Sequence, residues 1–233
     1  MSKAYFVTGT DTEVGKTAVA CALLAAARAR GCSTAAVKPV AAGCDAQGRN
    51  DDALALMAQV SIDLDYQQVN PVALAPPIAP HIAAAQAGRL LRCGQLAGLC
   101  RGVLSERADL TLVEGAGGWR VPISPRETLA DLAVDLNLGV ILVVGMRLGC
   151  INHALLTAEA IMRDGLKIAG WVANQPGEQM ACHSENVATL RALLPAPCLG
   201  ELPRFSPWNA QVAAQYLDID PLLCPAMADT GNR

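Results

Sequence analysis

The sequence predicts an α/β fold, a mostly parallel central sheet with helices on both faces, as a single domain over residues 1–233. Three observations lead there. Short apolar runs alternate along the chain with helical stretches. The runs lack the in–out alternation of a sheet with one wet face, so their strands are buried on both faces. A chain of 233 residues with 52% hydrophobic residues can also build one sizeable core.

The elements follow in order. Residues 4–8 (AYFVT) read as the first strand. Residues 16–30 are an alanine-rich helix, alanine being the best helix former, and Gly31 suits the position just past its end. Residues 33–37 form the second strand. Residues 51–59 form a short helix, because DALALMAQ spaces its apolar residues helically. Asn50 or Asp51 caps it and Asp52 lies in its first turn. Residues 70–80 carry prolines at 71, 76, 77 and 80, which rules out regular structure there. Pro80-His81 opens a helical stretch to about 87. Residues 94–107 form a helix leading into a strand at 110–113. A helix at 129–137 precedes the run 140–144, a strand without a polar residue. A helix at 150–164, a strand at 168–173, a helix at 184–194 and a short strand at 197–199 complete the pattern. The tail from about residue 206 carries no predicted element. Parallel crossovers are expected to be right-handed.

Charge and composition exclude several classes of partner. The net charge is −3 and no Lys/Arg cluster stands out, which argues against nucleic acid as a partner. The longest apolar run, Ala18 to Ala27, is too short to span a bilayer, so no membrane partner is expected. The chain enters a strand-like run at Tyr5 with no basic segment and long apolar stretch before it, which argues against an export signal. Nine cysteines, an odd number without a C-x-x-C pair, then read as reduced thiols in a cytoplasmic protein.

Residues 9–17, GTDTEVGKT, follow a strand and open a helix. That is the context of a phosphate-binding loop, in which backbone N–H groups and a helix N-terminus hold an anion. Lys16 suits the β- and γ-phosphates, and Thr17 offers a hydroxyl to Mg²⁺. The spacing departs from the common pattern, with five residues between the glycines instead of four. Two of the five, Asp11 and Glu13, are acids. Glu114 closes the strand LTLVE and precedes Gly115-Ala116-Gly117-Gly118. An acid at the end of a neighbouring strand suits a metal ligand, and the glycines admit a close ligand. Lys38 follows strand two, which in such sheets commonly neighbours strand one, bringing Lys38 toward the phosphates. By spacing alone, a solvated strand-end lysine is the commoner reading of Lys38, and an ordinary helix start that of Asp52.

GTDTEVGKT, KPVAAG, RNDDALAL, PIAPHIAAAQ, VEGAGGW, VILVVGMRLGCINHALLTAEAI and GWVAN occur in this order. The chain thereby resembles the dethiobiotin synthetases over about Tyr5 to Pro203. The resemblance implies a P-loop fold, a homodimer, and ATP-dependent closure of a ureido ring. The substrates would be 7,8-diaminopelargonic acid, CO2 and ATP, with Mg²⁺, and the route a carbamic–phosphoric anhydride. It implies Glu13, Val14, Gly15, Lys16, Thr17 and Ala18 along the triphosphate, with Gly115, Ala116 and Gly117 beside it. It implies Thr17, Asp52 and Glu114 as the Mg²⁺ ligands. Lys38 would be the catalytic lysine, with Lys16 on the other side of the substrate. Asn174 and Gln175 would meet the adenine, with Pro203, Arg204 and Phe205 further along. Thr12 and Ala42 would line the substrate, and Gly149, Cys150, Ile151 and Asn152 would take the carboxylate of substrate bound mainly by the other subunit. An anion at that helix start has an independent reason in its exposed N–H groups.

The resemblance suggests why acids sit in this loop. A diamine favours acceptors, and Asp11, Thr12 and Glu13 would supply them on the side away from the nucleotide. Two departures from the family pattern are Ala42, where a serine is frequent, and Gln175, where an acid is frequent. The alternative is a switch ATPase of the partitioning type. Those usually carry a second lysine early in the loop, where Thr10 stands here.

Overall fold

The computed structural model describes residues 2–224. Its main sheet has six strands, β1 (Lys3–Gly9), β2 (Thr34–Val37), β5 (Leu110–Glu114), β6 (Gly139–Gly145), β7 (Ile168–Asn174) and β8 (Cys198–Leu202). They lie in the order β2-β5-β1-β6-β7-β8, and every pairing is parallel. Two-residue strands β3 (Ala41–Ala42) and β4 (Ala73–Leu74) pair separately.

Side chains alternate across the sheet. Phe6, Val113 and Val140 face one side, and Tyr5, Val7, Leu112 and Ile141 the other. Helix α1 (Lys16–Ala29) packs on the second face and is buried along most of its length. Its alanines let it lie close to the sheet while a further helix, α9 (Ala210–Ala214), covers it. Helices α5 (Cys93–Leu104) and α6 (Leu129–Leu136) cover the first face, beside α7 (Cys150–Arg163) and α8 (His183–Leu193). Apolar burial on two faces at about 25 cal/mol per Å² is the main stabilising term for such a sheet.

Four expectations are corrected. Strand two does not neighbour strand one, because β5 lies between them. The proline-rich stretch contains β4, which pairs with β3 ahead of Pro76. Helix α3 (Tyr66–Val69) lies where no element is expected. The tail holds α9 and α10 (Asp220–Leu223), while residues 225–233 lie outside the described ones. Asn50 settles the capping alternative for α2 (Asp51–Met57), since its side chain accepts the Ala53 N–H. All nine cysteines are free thiols. Among the described residues no helix is long and apolar enough to cross a membrane.

Candidate active site

The site lies where parallel sheets place ligands, beyond the carboxyl ends of the strands. Glycine 9 ends β1 and opens the loop of residues 9–17. The fifth loop residue, Val14, is buried, 2% exposed. It seats between the ends of β1 and β6: a Cβ at Gly9 or at Gly145 would stand 2.6 Å from its methyl groups. Gly15 has φ +82, a left-handed conformation that favours glycine, and a Cβ there would strike Asn174 Nδ2 at 2.1 Å. That Asn174 nitrogen donates to the Val14 carbonyl at 2.7 Å, so the end of β7 holds the loop in shape.

The expected charges converge. Glu114, the last residue of β5, is 0% exposed. Its Oε1 accepts from the Thr17 hydroxyl at 2.8 Å and from Lys38 Nζ at 2.6 Å. Lys38 Nζ also lies 3.1 Å from Asp52 Oδ2, on the first turn of α2. Lys38 therefore reaches the site through β5, which sits between β2 and β1 and presents Glu114 at its end. Burial pulls the Lys38 ammonium down, but the Glu114 and Asp52 carboxylates together outweigh it and hold its pKa above the usual lysine value. Lys16 is also buried, and its ammonium donates to the Asp11 carbonyl at 3.1 Å. Burial, with the Lys38 charge added, pulls it down to about 8, against the partial offset of Glu114 and Asp52. The Asp52 carboxyl is pushed up by burial and pulled down more strongly by Lys38, so its pKa is lowered.

In this cluster Glu114 Oε2 is buried with no hydrogen-bond partner among the described residues. A carboxylate oxygen in that position calls for a cation or a donor. With Asp52 and the Thr17 hydroxyl it makes a hard, oxygen-only donor set. Among the described residues no group of three His, Cys, Asp or Glu gathers. Two carboxylates and a hydroxyl suit Mg²⁺, which is commonly held by one or two carboxylates together with water and substrate phosphates.

The glycine loop after Glu114 lies against the phosphate loop. A Cβ at Gly117 would be 3.5 Å from Thr12 Oγ1, and one at Gly118 would be 3.5 Å from the Gly9 carbonyl. Thr12 and Glu13 are exposed. Asp11 differs from expectation. Its Oδ1 accepts the Thr12 N–H at 2.8 Å and its Oδ2 pairs with Arg147, so its carboxylate is committed within the protein. Arg147 leads into Gly149, which starts α7 in the left-handed conformation. Cys150 is buried there, Ile151 half-buried and Asn152 exposed. The far end of α7 is tied as well, since Asp164 accepts from Trp119 Nε1 at 2.8 Å and from Arg120 at 2.7 Å.

Gln175, Pro203 and Arg204 line a cleft of about 590 Å³ together with Glu201 and His183. Gln175 Nε2 donates to the carbonyls of Met146 and Glu178, leaving its buried Oε1 without a partner. Phe205 is not among the lining residues; its ring packs edge-on against Trp208 and Tyr216. Ala42 lies in β3, its carbonyl accepting from Asn50 Nδ2 at 3.2 Å. Sequence reasoning passed over Arg147, Tyr66 and Asn70, whose roles depend on contacts across the fold.

Residues 3–212 match the family described as an AAA domain. Among solved structures, the MinC:MinD cell division protein complex of Aquifex aeolicus aligns at 13% identity and TM-score 0.58, covering 95% of this chain and 94% of that one. A ParA family ATPase of Chlorobium tepidum TLS aligns at 13% identity and TM-score 0.54, covering 93% and 91%. These likenesses concern the fold. Among curated relatives, the ATP-dependent dethiobiotin synthetase BioD of Cellvibrio japonicus (strain Ueda107) is 61% identical, over 95% of this chain and 98% of that protein. The enzyme of the same name from Pseudomonas aeruginosa (strain UCBPP-PA14) is 60% identical, over 94% and 97%. That of Escherichia coli O157:H7, named BioD 1, is 53% identical, over 91% and 93%. With a phosphate loop, a buried glutamate and a lysine meeting at one sheet end, and with this identity along nearly its whole length, the chain belongs to the family of ATP-dependent dethiobiotin synthetases.

Proposed function

We propose that the chain, as one domain, closes the ureido ring of dethiobiotin from 7,8-diaminopelargonic acid, CO2 and ATP. One observation carries this reading: Lys38 is held between Glu114 and Asp52 beside the phosphate loop. A nucleotide-binding module would not need that triad of Lys38, the buried Glu114 and the half-exposed Asp52. The partitioning-type switch gains nothing from the structure, since Thr10, at the position of its second lysine, accepts the Gly145 N–H at 3.3 Å and helps to shape the loop.

The chemistry runs in three steps. One amine of the diamine adds to CO2 and loses a proton, giving a carbamate. A carbamate oxygen attacks the γ-phosphorus and ADP leaves, giving the mixed anhydride. The second amine attacks the carbonyl carbon, loses its proton and expels phosphate, which closes the ring. Negative charge gathers on oxygen at each stage. Lys16 and Lys38 are two positive groups fixed in advance of that charge, and removing one well-placed donor of this kind costs about 3–4 kcal/mol. The Lys38 ammonium, held by the Glu114 and Asp52 carboxylates, serves an electrostatic role. Thr17, Asp52 and Glu114 would hold Mg²⁺, which when bound supplies charge neutralisation at the phosphates. Gly149, Cys150, Ile151 and Asn152 take the carboxylate of substrate seated in the other subunit of a homodimer. Asn174 and the cleft at Gln175, Pro203 and Arg204 receive the adenine. Thr12 and Glu13 remain to meet the diamine.

The test is ADP release with Mg-ATP and bicarbonate, with and without 7,8-diaminopelargonic acid, on the wild type and Lys38→Ala. Turnover is expected to need the diamine and to collapse in the variant. Equal hydrolysis without the diamine would return the chain to the switch ATPases.

A further inference from the structure

Lys38 and Asp52 sit on different elements, one beyond β2 and one on α2, and a chain of hydrogen bonds joins the two supports. The Tyr66 hydroxyl is shared between them. It accepts the backbone N–H of Asn50 at 2.8 Å and donates to Asn70 Oδ1 at 3.2 Å. Asn70 Nδ2 in turn donates to the Lys38 carbonyl at 2.8 Å, while the Lys38 N–H donates to the Val69 carbonyl at 2.7 Å. Asn50 caps the helix that carries Asp52, and its Nδ2 holds Ala42. Asn50 and Asn70 are buried, 7% and 3% exposed, and the Tyr66 hydroxyl that joins them stands at the edge of a cleft lined by Arg49, Tyr66 and Asn70. The Tyr66 ring is fixed in turn, with the Arg49 guanidinium 5.8 Å from its centroid.

We propose that Tyr66 is a positioning residue: its hydroxyl, through Asn50 and Asn70, sets the Asp52 carboxylate against the Lys38 ammonium. It acts through other residues and touches no reacting atom. The ion pair alone does not fix this geometry, because the Asp52 side chain is half exposed and water competes for its carboxylate. The inference rests on the roles given above to Lys38 and Asp52. Misplacement of a reacting group by about 1 Å costs about 100-fold in rate. Deleting one shared hydroxyl while the backbone ties remain is therefore expected to cost about tenfold.

The experiment compares Tyr66→Phe, Asn70→Ala and their double variant with Lys38→Ala, all in the full chain. Diamine-dependent ADP release gives kcat and KM, and thermal melts give Tm. In Tyr66→Phe we expect kcat to fall about tenfold, KM for ATP to stay within about twofold, and Tm to move by only a few degrees. The double variant should be no slower than Asn70→Ala alone, because both changes cut one chain of bonds. A Tyr66→Phe kcat within twofold of wild type overturns the proposal. So does a loss in which kcat, KM and Tm change together and the two substitutions multiply. If Tyr66→Phe does not fold, Asn70→Ser is read against the same limits. If Lys38→Ala keeps its turnover, the catalytic role of Lys38 fails, and positioning with it. If Lys38→Ala collapses while Tyr66→Phe is unchanged, only the role of Tyr66 falls.

Discussion

Replacing Lys38 with methionine keeps a long flexible side chain and removes its charge. Glu114 is fully buried, and without Lys38 its Oε1 keeps only the Thr17 hydroxyl. Its Oε2 already lacks a partner. Removing one member of a buried ion pair costs about 3–5 kcal/mol, because the remaining charge is stranded. For a chain of this length each kcal/mol moves Tm by about 2–4 °C, so Lys38→Met should lower it by roughly 6–20 °C. Adding Glu114→Gln takes away the stranded charge, and the double variant should regain about half of that loss or more. The assay is calorimetry of nucleotide-free protein at neutral pH without divalent metal. With a folded pKa above the unfolded value, the stabilisation by the Lys38 ammonium is complete below the unfolded lysine pKa. It disappears only as pH rises through the folded one, so neutral pH lies on the plateau. A drop of less than about 2 °C for Lys38→Met, or a double variant no more stable than the single, refutes the argument.

Lys16, at about 8 in the nucleotide-free protein, should lose its charge as pH rises past that value. Nucleotide affinity should then weaken above pH 8, with proton uptake on binding, and Lys16→Arg should abolish both. Titration calorimetry in two buffers of different ionisation enthalpy checks this, and an affinity flat from pH 7 to 9 contradicts it. In stability the sign is opposite to that of Lys38. The folded state binds fewer protons between about 8 and the ordinary 10.5, so the Lys16 contribution rises with pH across that window. Asn174→Ala removes the donor that holds the Val14 carbonyl and should cost about 1–3 kcal/mol of stability, visible in denaturant melts, along with weaker ATP binding. Glu13→Gln should weaken diamine binding more than ATP binding. Asp11→Asn, whose carboxylate is committed to Arg147, should move stability by no more than about 1 kcal/mol, since that pair is exposed. Equal losses of diamine and ATP binding in Glu13→Gln would remove the loop from diamine recognition.

The main strands are legible as short, nearly unbroken apolar runs, and the longer helices by apolar residues at helical spacing. Strands β3 and β4 are not, since two residues carry no period and owe their form to each other. Helix α3 did leave a signal, a reciprocal cap in which Gln68 accepts the Asp65 N–H at 2.8 Å. The order of strands has no local signature. β5 enters between β2 and β1 only in the assembled sheet, and the route by which Lys38 reaches the phosphate loop depends on it. Lys16, Thr17 and Glu114 could be read from their places after strands. Lys38 and Asp52 needed the family resemblance, because a strand-end lysine and a helix-start aspartate are common in any sequence. Tyr66 and Asn70 acquire their roles from partners across the fold, which spacing along the chain does not reveal.

The seat of Val14 between Gly9 and Gly145 bears on how fast a nucleotide can bind. An apolar side chain wedged between two strand ends settles the shape of the loop when the protein folds, so the ordering cost falls on folding and not on association. Nucleotide arrival then resembles docking on a finished surface. Its observed rate should climb in proportion to concentration, without the plateau that a slow loop closure would impose.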